Sequence, residues 1–239
     1  MKTVTDTWWM ILRQTRNLMR EPIWIVLLLV QPMVWLLLYG QLFKNVTRLG
    51  GFGTGSYITF LAPAIVVMNA FFGATWSGMS MIYDLDHKIV ERFLATPGSR
   101  LAIVLSQIVR SALTAAIQAI VILLVALALG VRVHTGAVGW AVIILAAILV
   151  NSAFAGLSQA IALLTRREAT MIARPQMPGW MQTAAKFNPV DWGVNAAREV
   201  VLPGTAWGNV GLYLLLLLGL TALTSAWATW TFRAYQRSL

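Results

Sequence analysis

The chain has no cysteine and very few acidic residues. The first absence excludes disulfides, thiolate catalysis and cysteine-based metal sites. Asp and Glu together number only 8, and all charged residues make up 11% of the 239, against about 25% in ordinary soluble domains. That is too little polarity for a surface that faces water. Histidine is scarce as well: His87 and His134 lie far apart with no second ligand beside either, and they read as loop residues rather than a metal site. The chain also lacks a Gly-Lys-Ser or Gly-Lys-Thr phosphate loop. Gly50, Gly51, Gly53 and Gly55 have a superficially similar spacing but read as a surface turn. No set of nucleophile, base and orienting group is visible, so the chain reads as a non-enzyme that binds no cofactor or metal of its own.

What is present is hydrophobicity. Apolar residues make up 59% of the chain and run on without the polar interruptions of an amphipathic soluble helix or strand. A helix rises about 1.5 Å per residue, so about 20 apolar residues cross a hydrocarbon core of roughly 30 Å. Five stretches meet this requirement: Ile23–Phe43, Tyr57–Tyr83, Leu101–Val131 (charged only at Arg110), Ala137–Thr165 and Gly208–Phe232. The expected fold is therefore all-α and polytopic, one transmembrane domain over residues 1–239. Before the first span, Asp6–Arg20 places Trp8, Ile11, Leu12, Leu18 and Met19 on one helical face and Arg13, Arg16 and Arg20 on another. That pattern predicts a helix lying in the membrane interface, anchored by Trp8 and Trp9 and by its arginines.

The formal net charge of +10 does not form one patch, which argues against nucleic acid. Lys and Arg instead sit in short clusters between the apolar runs, where they meet lipid headgroups and set orientation. Lys2, Arg13, Arg16 and Arg20 place the N-terminal segment in the cytoplasm, and Arg233 and Arg237 place the C-terminal tail there too. Five crossings cannot return a chain to the side on which it started. The segment Arg174–Trp207 is a poor crossing, since it carries Arg174, Pro175, Pro178, Lys186, Pro189, Asp191, Arg198, Glu199 and Pro203; it reads as extracellular, re-entrant or short helices.

The cytoplasmic segment Asp84–Arg100 carries Ile89, Val90, Phe93 and Leu94 at helical spacing, with Lys88, Glu91 and Arg92 facing elsewhere; Thr96-Pro97-Gly98 then stops the helix. A short amphipathic helix of this kind either docks in a groove of another protein or lies in the interface. Its residues Glu91 to Arg100 resemble the E-R-hydrophobic-hydrophobic-x-T-P-x-x-R signature of type-2 ABC transporter permeases, in the daunorubicin-resistance-like branch. The likeness continues through Arg167-Glu168-Ala169, Gln176-Met177-Pro178-Gly179-Trp180 and Phe187-Asn188-Pro189 up to Arg198.

That resemblance implies six spans, with a fifth lying between Arg167-Glu168-Ala169 and Gln176–Trp180. Only Thr170–Pro175 stands there, so about 20 or more residues are expected to be missing near Ala173–Arg174. The resemblance also implies a bacterial cytoplasmic-membrane exporter of a drug or lipid-like molecule, with polysaccharide or lipo-oligosaccharide export, or a non-transporting assembly role, as alternatives. Its implied partners are two ABC ATPase subunits, which would carry ATP and Mg, and a second permease, identical or related. Asp84, Lys88, Glu91, Arg92, Phe93, Leu94, Thr96, Pro97 and Arg100 would then form the ATPase-coupling helix. The pathway would be lined by the second and fifth spans, with Asn69, Phe71, Phe72, Trp76 and Ser77 as candidates on the second; lipid-facing and packing roles compete for each, Gly73 and Ser77 forming a small-residue face. Gln31 and Gln118 are further polar groups in hydrocarbon, and Arg110 reads as snorkelling to headgroups.

Overall fold

The structure, a computed structural model, describes residues 22–43, 56–86, 100–165, 188–202 and 204–236, together with Leu12 and Arg16. Six helices can be followed among the described residues: α1 (Pro22–Leu42), α2 (Tyr57–Asp86), α3 (Arg100–Ala128), α4 (Gly136–Thr165), the short α5 (Pro189–Glu199) and α6 (Trp207–Gln236). Among the described residues no strand occurs, as expected for segments with no water to satisfy an open sheet edge. Four helices, α2, α3, α4 and α6, are long and apolar enough to cross a membrane, while the described apolar part of α1, Val26–Leu42, is shorter.

The helix limits follow local chemistry. The third apolar run continues to Val131, yet α3 stops at Ala128. Gly130 takes a φ of 89°, its N–H donates to the Leu127 carbonyl at 2.9 Å, and the Val131 N–H reaches back to Ala126 at 3.0 Å. This pair of bonds satisfies the last carbonyls and turns the chain out of the helix, which a left-handed glycine permits. At α5 the start is set by Asn188, whose side chain accepts the Val190 N–H at 3.0 Å ahead of a proline in the first turn.

Contacts between helices set their directions. Asn151 and Ser158 of α4 bond Ala70 and Thr75 of α2 in ascending order, so α2 and α4 run parallel. Thr221 of α6 meets Leu149, and Gly156 meets Thr224, so α4 and α6 are parallel too. The pairs Asn69–Gln118 and Met81–Gln107 make α3 antiparallel to α2, and Gly40 against Ile58 does the same for α1. One end of the bundle, here the head, therefore carries the starts of α2, α4 and α6; the other, the foot, carries their ends and the start of α1. Pro22 and Gln236 lie at the same end. α4 finishes at the foot, and α5 sits at the head.

At the centre stands α4, touching α2, α3, α5 and α6, whereas α1 leans on α2 and α3. Half of the α4 span is buried, against 17% for α6. Its inward positions are small: Ala146, Ala147, Ala153, Ala155, Ala160 and Ala162 are essentially sealed. Without a hydrophobic force between helices in lipid, such residues gain stability by letting backbones come close. Gly156 is the extreme case, since a Cβ there would lie 3.0 Å from the Thr224 carbonyl carbon. A large apolar cluster fills the head half, including Leu36, Ile122 and Leu217; a smaller one at the foot surrounds Met81 and Phe232. The outward faces are Leu-rich, with Leu27, Leu37 and Leu38 on α1 and Leu212, Leu215 and Leu223 on α6 exposed.

Candidate functional site: amides and a cavity at mid-membrane

Polar side chains run down α2 as a ladder. Nearest the middle, Asn69 Nδ2 donates to Gln118 Oε1 at 3.0 Å. At the next residue of α2, Asn151 ties three helices together: its Nδ2 donates to the Ala70 carbonyl and its Oδ1 accepts from the Ser111 hydroxyl, both at 2.8 Å. Towards the foot, the Ser158 hydroxyl donates to the Thr75 carbonyl at 3.1 Å and Gln159 Nε2 to Ser77 Oγ at 2.8 Å. Gln107 Nε2 approaches the Met81 sulfur at 4.0 Å. In hydrocarbon each such bond stabilises helix association by about 0.6–2 kcal/mol.

The five pathway candidates do not share one surface. Asn69, Phe72 and Trp76, spaced three and four apart, line a cavity of about 140 Å³ between α1, α2 and α3, together with Gln31, Trp35 and Gln118. Phe72 and Trp76 are exposed on its open side. Phe71 turns the other way and meets Phe154 of α4 edge-on, with ring centres 4.7 Å apart. Ser77 is buried against Gln159. Gly73 lies between these faces: a Cβ on it would come within 3.5 Å of Asn151 Nδ2 and 3.9 Å of Gln118 Oε1. Gln118 holds the floor, 2% exposed, and its Nε2 has no partner. Its role was not separable by sequence from that of any other polar residue within a span; the spacing of Asn69, Phe72 and Trp76 was the available clue.

At the head, α5 wedges its small face, Gly193, Val194, Ala196 and Ala197, into the bundle. A Cβ on Gly193 would sit 2.6 Å from Val150 and 3.0 Å from Val67, so only glycine lets α5 seat this deeply. The seat is pinned by the Thr135 hydroxyl, which donates to the Val200 carbonyl at 2.8 Å. Arg198 lies half-buried with its guanidinium 4.1 Å from the centre of the Phe60 ring. Burial pushes its pKa down, while Asp191 and Tyr57 push it up. Arginine's ordinary value is so high that the charge is retained.

Of the coupling segment, Asp84 falls in the last turn of α2 and Arg100 begins α3; Lys88, Glu91, Arg92, Phe93, Leu94, Thr96 and Pro97 lie outside the described residues. So do Trp8, Trp9, Arg13 and Arg20 of the interfacial segment, in which Leu12 and Arg16 are helical and Arg16 is exposed. The junction at Ala173–Arg174 also lies outside them. His134 is exposed in the α3–α4 turn, and among the described residues no cluster of metal-ligating side chains occurs.

With parallel α2, α4 and α6 around a polar seam in place, comparison with known proteins is decisive. The sequence profile of ABC-2 type transporters matches residues 5–173. The chain belongs to this ABC-2 type transporter family. It is 24% identical over 254 residues to the daunorubicin resistance ABC transporter permease protein DrrB1 of Streptomyces coeruleorubidus, an alignment covering 98% of this chain and 86% of that one. It is 26% identical over 249 residues to the ycf38 protein of Pyropia yezoensis, named as a transport permease, covering 90% of this chain and 84% of the relative. The corresponding ycf38 protein of Cyanophora paradoxa is 31% identical over 117 residues, 48% of this chain and 40% of its own length. The chain is thus an ABC-2 permease, multi-pass and all-helical. The alignments to the Streptomyces and Pyropia proteins are longer than this chain's 239 residues, so each relative has residues for which this chain has none. The family match itself ends at Ala173.

Proposed function

We propose that this ABC-2 permease is the membrane-spanning subunit of an ATP-driven exporter, moving a drug or lipid-like amphipathic molecule out of the cytoplasm or the inner leaflet. The observation that carries this reading is the cavity at mid-membrane, with an amide floor and aromatic walls on α2. An apolar pocket with a few convergent polar groups suits an amphipathic ligand better than a hydrated polysaccharide. A purely structural assembly factor would have no use for such a cavity.

In this reading the foot is cytoplasmic, as its flanking Lys and Arg suggest, and both termini lie there in a bacterial cytoplasmic membrane. A sixth span belongs between Thr165 and Pro189. The parallel directions of α4 and α6, the end of the family match at Ala173 and the longer relatives all support it. Two ATPase subunits, holding ATP and Mg, would bind below, and a second permease beside. Glu91 and Arg92 offer charge-assisted bonds to the ATPase, with Phe93 and Leu94 as the apolar anchor. ATP binding moves the permeases only if the ATPase grips one arrangement better than the other.

The test is co-purification with an ABC ATPase of the same host, followed by ATP-dependent uptake into inverted membrane vesicles. Deleting Glu91–Thr96 should abolish both. ATPase association that survives the deletion would remove the coupling role, and vesicles that show no nucleotide-dependent uptake of any amphipathic dye would favour the assembly factor.

A further inference from the structure

Depth and exposure together single out Gln31. It lies near the middle of α1, about 15 Å along the axis from either end, and it lines the same cavity as Asn69 and Gln118, so its carboxamide sits at their depth. Gln118 is buried, whereas Gln31 is exposed, and among the described residues nothing bonds it. From there the side chain is too short to reach either interface. Acyl chains offer neither donor nor acceptor, so towards lipid both ends of this amide would stay unmade, which is costly.

The residues around Gln31 form a seam. Leu27, Gln31, Val34 and Leu38 follow one another at intervals of four, three and four, and all of them are exposed. On the other side of α1, Leu29 and Leu36 are buried. The alternation is the spacing at which two helices pack side by side in a left-handed pair. α6 supplies the contrast within the same molecule: Leu212, Leu215, Leu218 and Leu223 are just as exposed, yet no carboxamide stands among them, and acyl chains satisfy such a face.

A carboxamide is its own complement, having a donor at one end and an acceptor at the other. Two copies of one chain cross the membrane in the same sense, so about a two-fold axis along the membrane normal their α1 helices run parallel and Gln31 stands opposite Gln31. Each amide can then donate to the oxygen of the other, and the pair uses both ends of both groups.

We propose that α1 is the face on which a second copy of this chain docks, along Leu27, Gln31, Val34 and Leu38, with the two Gln31 carboxamides hydrogen-bonded to each other across the axis. The inference rests on the reading of a second permease beside this one; it makes that permease identical and sets it against α1.

The lack of cysteine makes the test direct. Single cysteines in the full chain, in lipid vesicles without ATPase, should give interchain disulfides on mild oxidation at Val34→Cys and Leu38→Cys, and none at Leu215→Cys or Leu223→Cys on α6. Energy transfer between donor-labelled and acceptor-labelled copies, followed as added lipid dilutes them, should show Gln31→Leu weakening association about tenfold, the value of a hydrogen-bonded pair in hydrocarbon. Helical circular dichroism should stay the same, because Gln31 is exposed in the single chain. Disulfides on α6 in place of α1, equal association of the native chain and Gln31→Leu, or a chain that stays monomeric at every dilution would each overturn the proposal. No ATPase or nucleotide takes part, so such a failure is distinct from failure of the coupling deletion, and a monomeric result would leave the transport reading with a related second permease.

Discussion

Asn151 and Gln118 are both carboxamides at mid-membrane, both meet α2, and they differ in what completes them. Asn151 uses its two ends on the protein, joining α4 to the Ala70 carbonyl and to Ser111. Gln118 uses one end on Asn69, and its other end, beside a cavity, has no protein partner. The same functional group therefore cross-links helices in the α2–α4 seam and is only half paired beside the α1–α2 cleft.

Substitutions can break that contrast, and the largest effect belongs to the seam. Asn151→Leu should cost about 2–3 kcal/mol in detergent or bilayer unfolding, since it strands a hydroxyl and a carbonyl at once. Gly156→Val should cost about 2 kcal/mol by forcing α4 off the α6 backbone, read as a lowered Tm. Ser77→Ala removes the acceptor of Gln159 and should cost about 1 kcal/mol by the same measurement. Gln118→Leu sharpens the comparison from the other side: it should cost under about 1 kcal/mol, because half of that amide is already unpaired. A loss equal to that of Asn151→Leu would mean that the cleft is packed as tightly as the seam. Smallest of all, Arg198→Lys should cost about 0.5 kcal/mol, the difference between a planar and a point cation over Phe60.

The long helices were legible because their signal is long and simple: the uncharged runs fall on α1, α2, α3, α4 and α6, of which the last four are long and apolar enough to cross a membrane. Boundaries were less so. A hydropathy run continues through Gly130, and only the glycine's left-handed geometry says where α3 ends. Parity of the basic loops anticipated that Pro22 and Gln236 lie at one end, a long-range property readable because charge is so sparse. The site was only half legible. Asn69, Phe72 and Trp76 share a helical face, so sequence grouped them, but it grouped Phe71 and Ser77 with them. Which side of α2 meets α4 depends on Phe154 and Gln159, some eighty residues away, and no local pattern on α2 carries that information.

The threefold grip of Asn151 also bears on how the molecule can move. Helices fastened to one another at that point, and α6 seated on the bare backbone at Gly156, are obliged to shift as a single block. Among the described residues α1 has no side-chain hydrogen bond to that block, and its contact with α2 and α3 is through apolar surface. In the transport reading proposed above, a stroke driven from the foot would open the molecule along the border of α1 first, widening or pinching the space in front of Trp35 and Trp76.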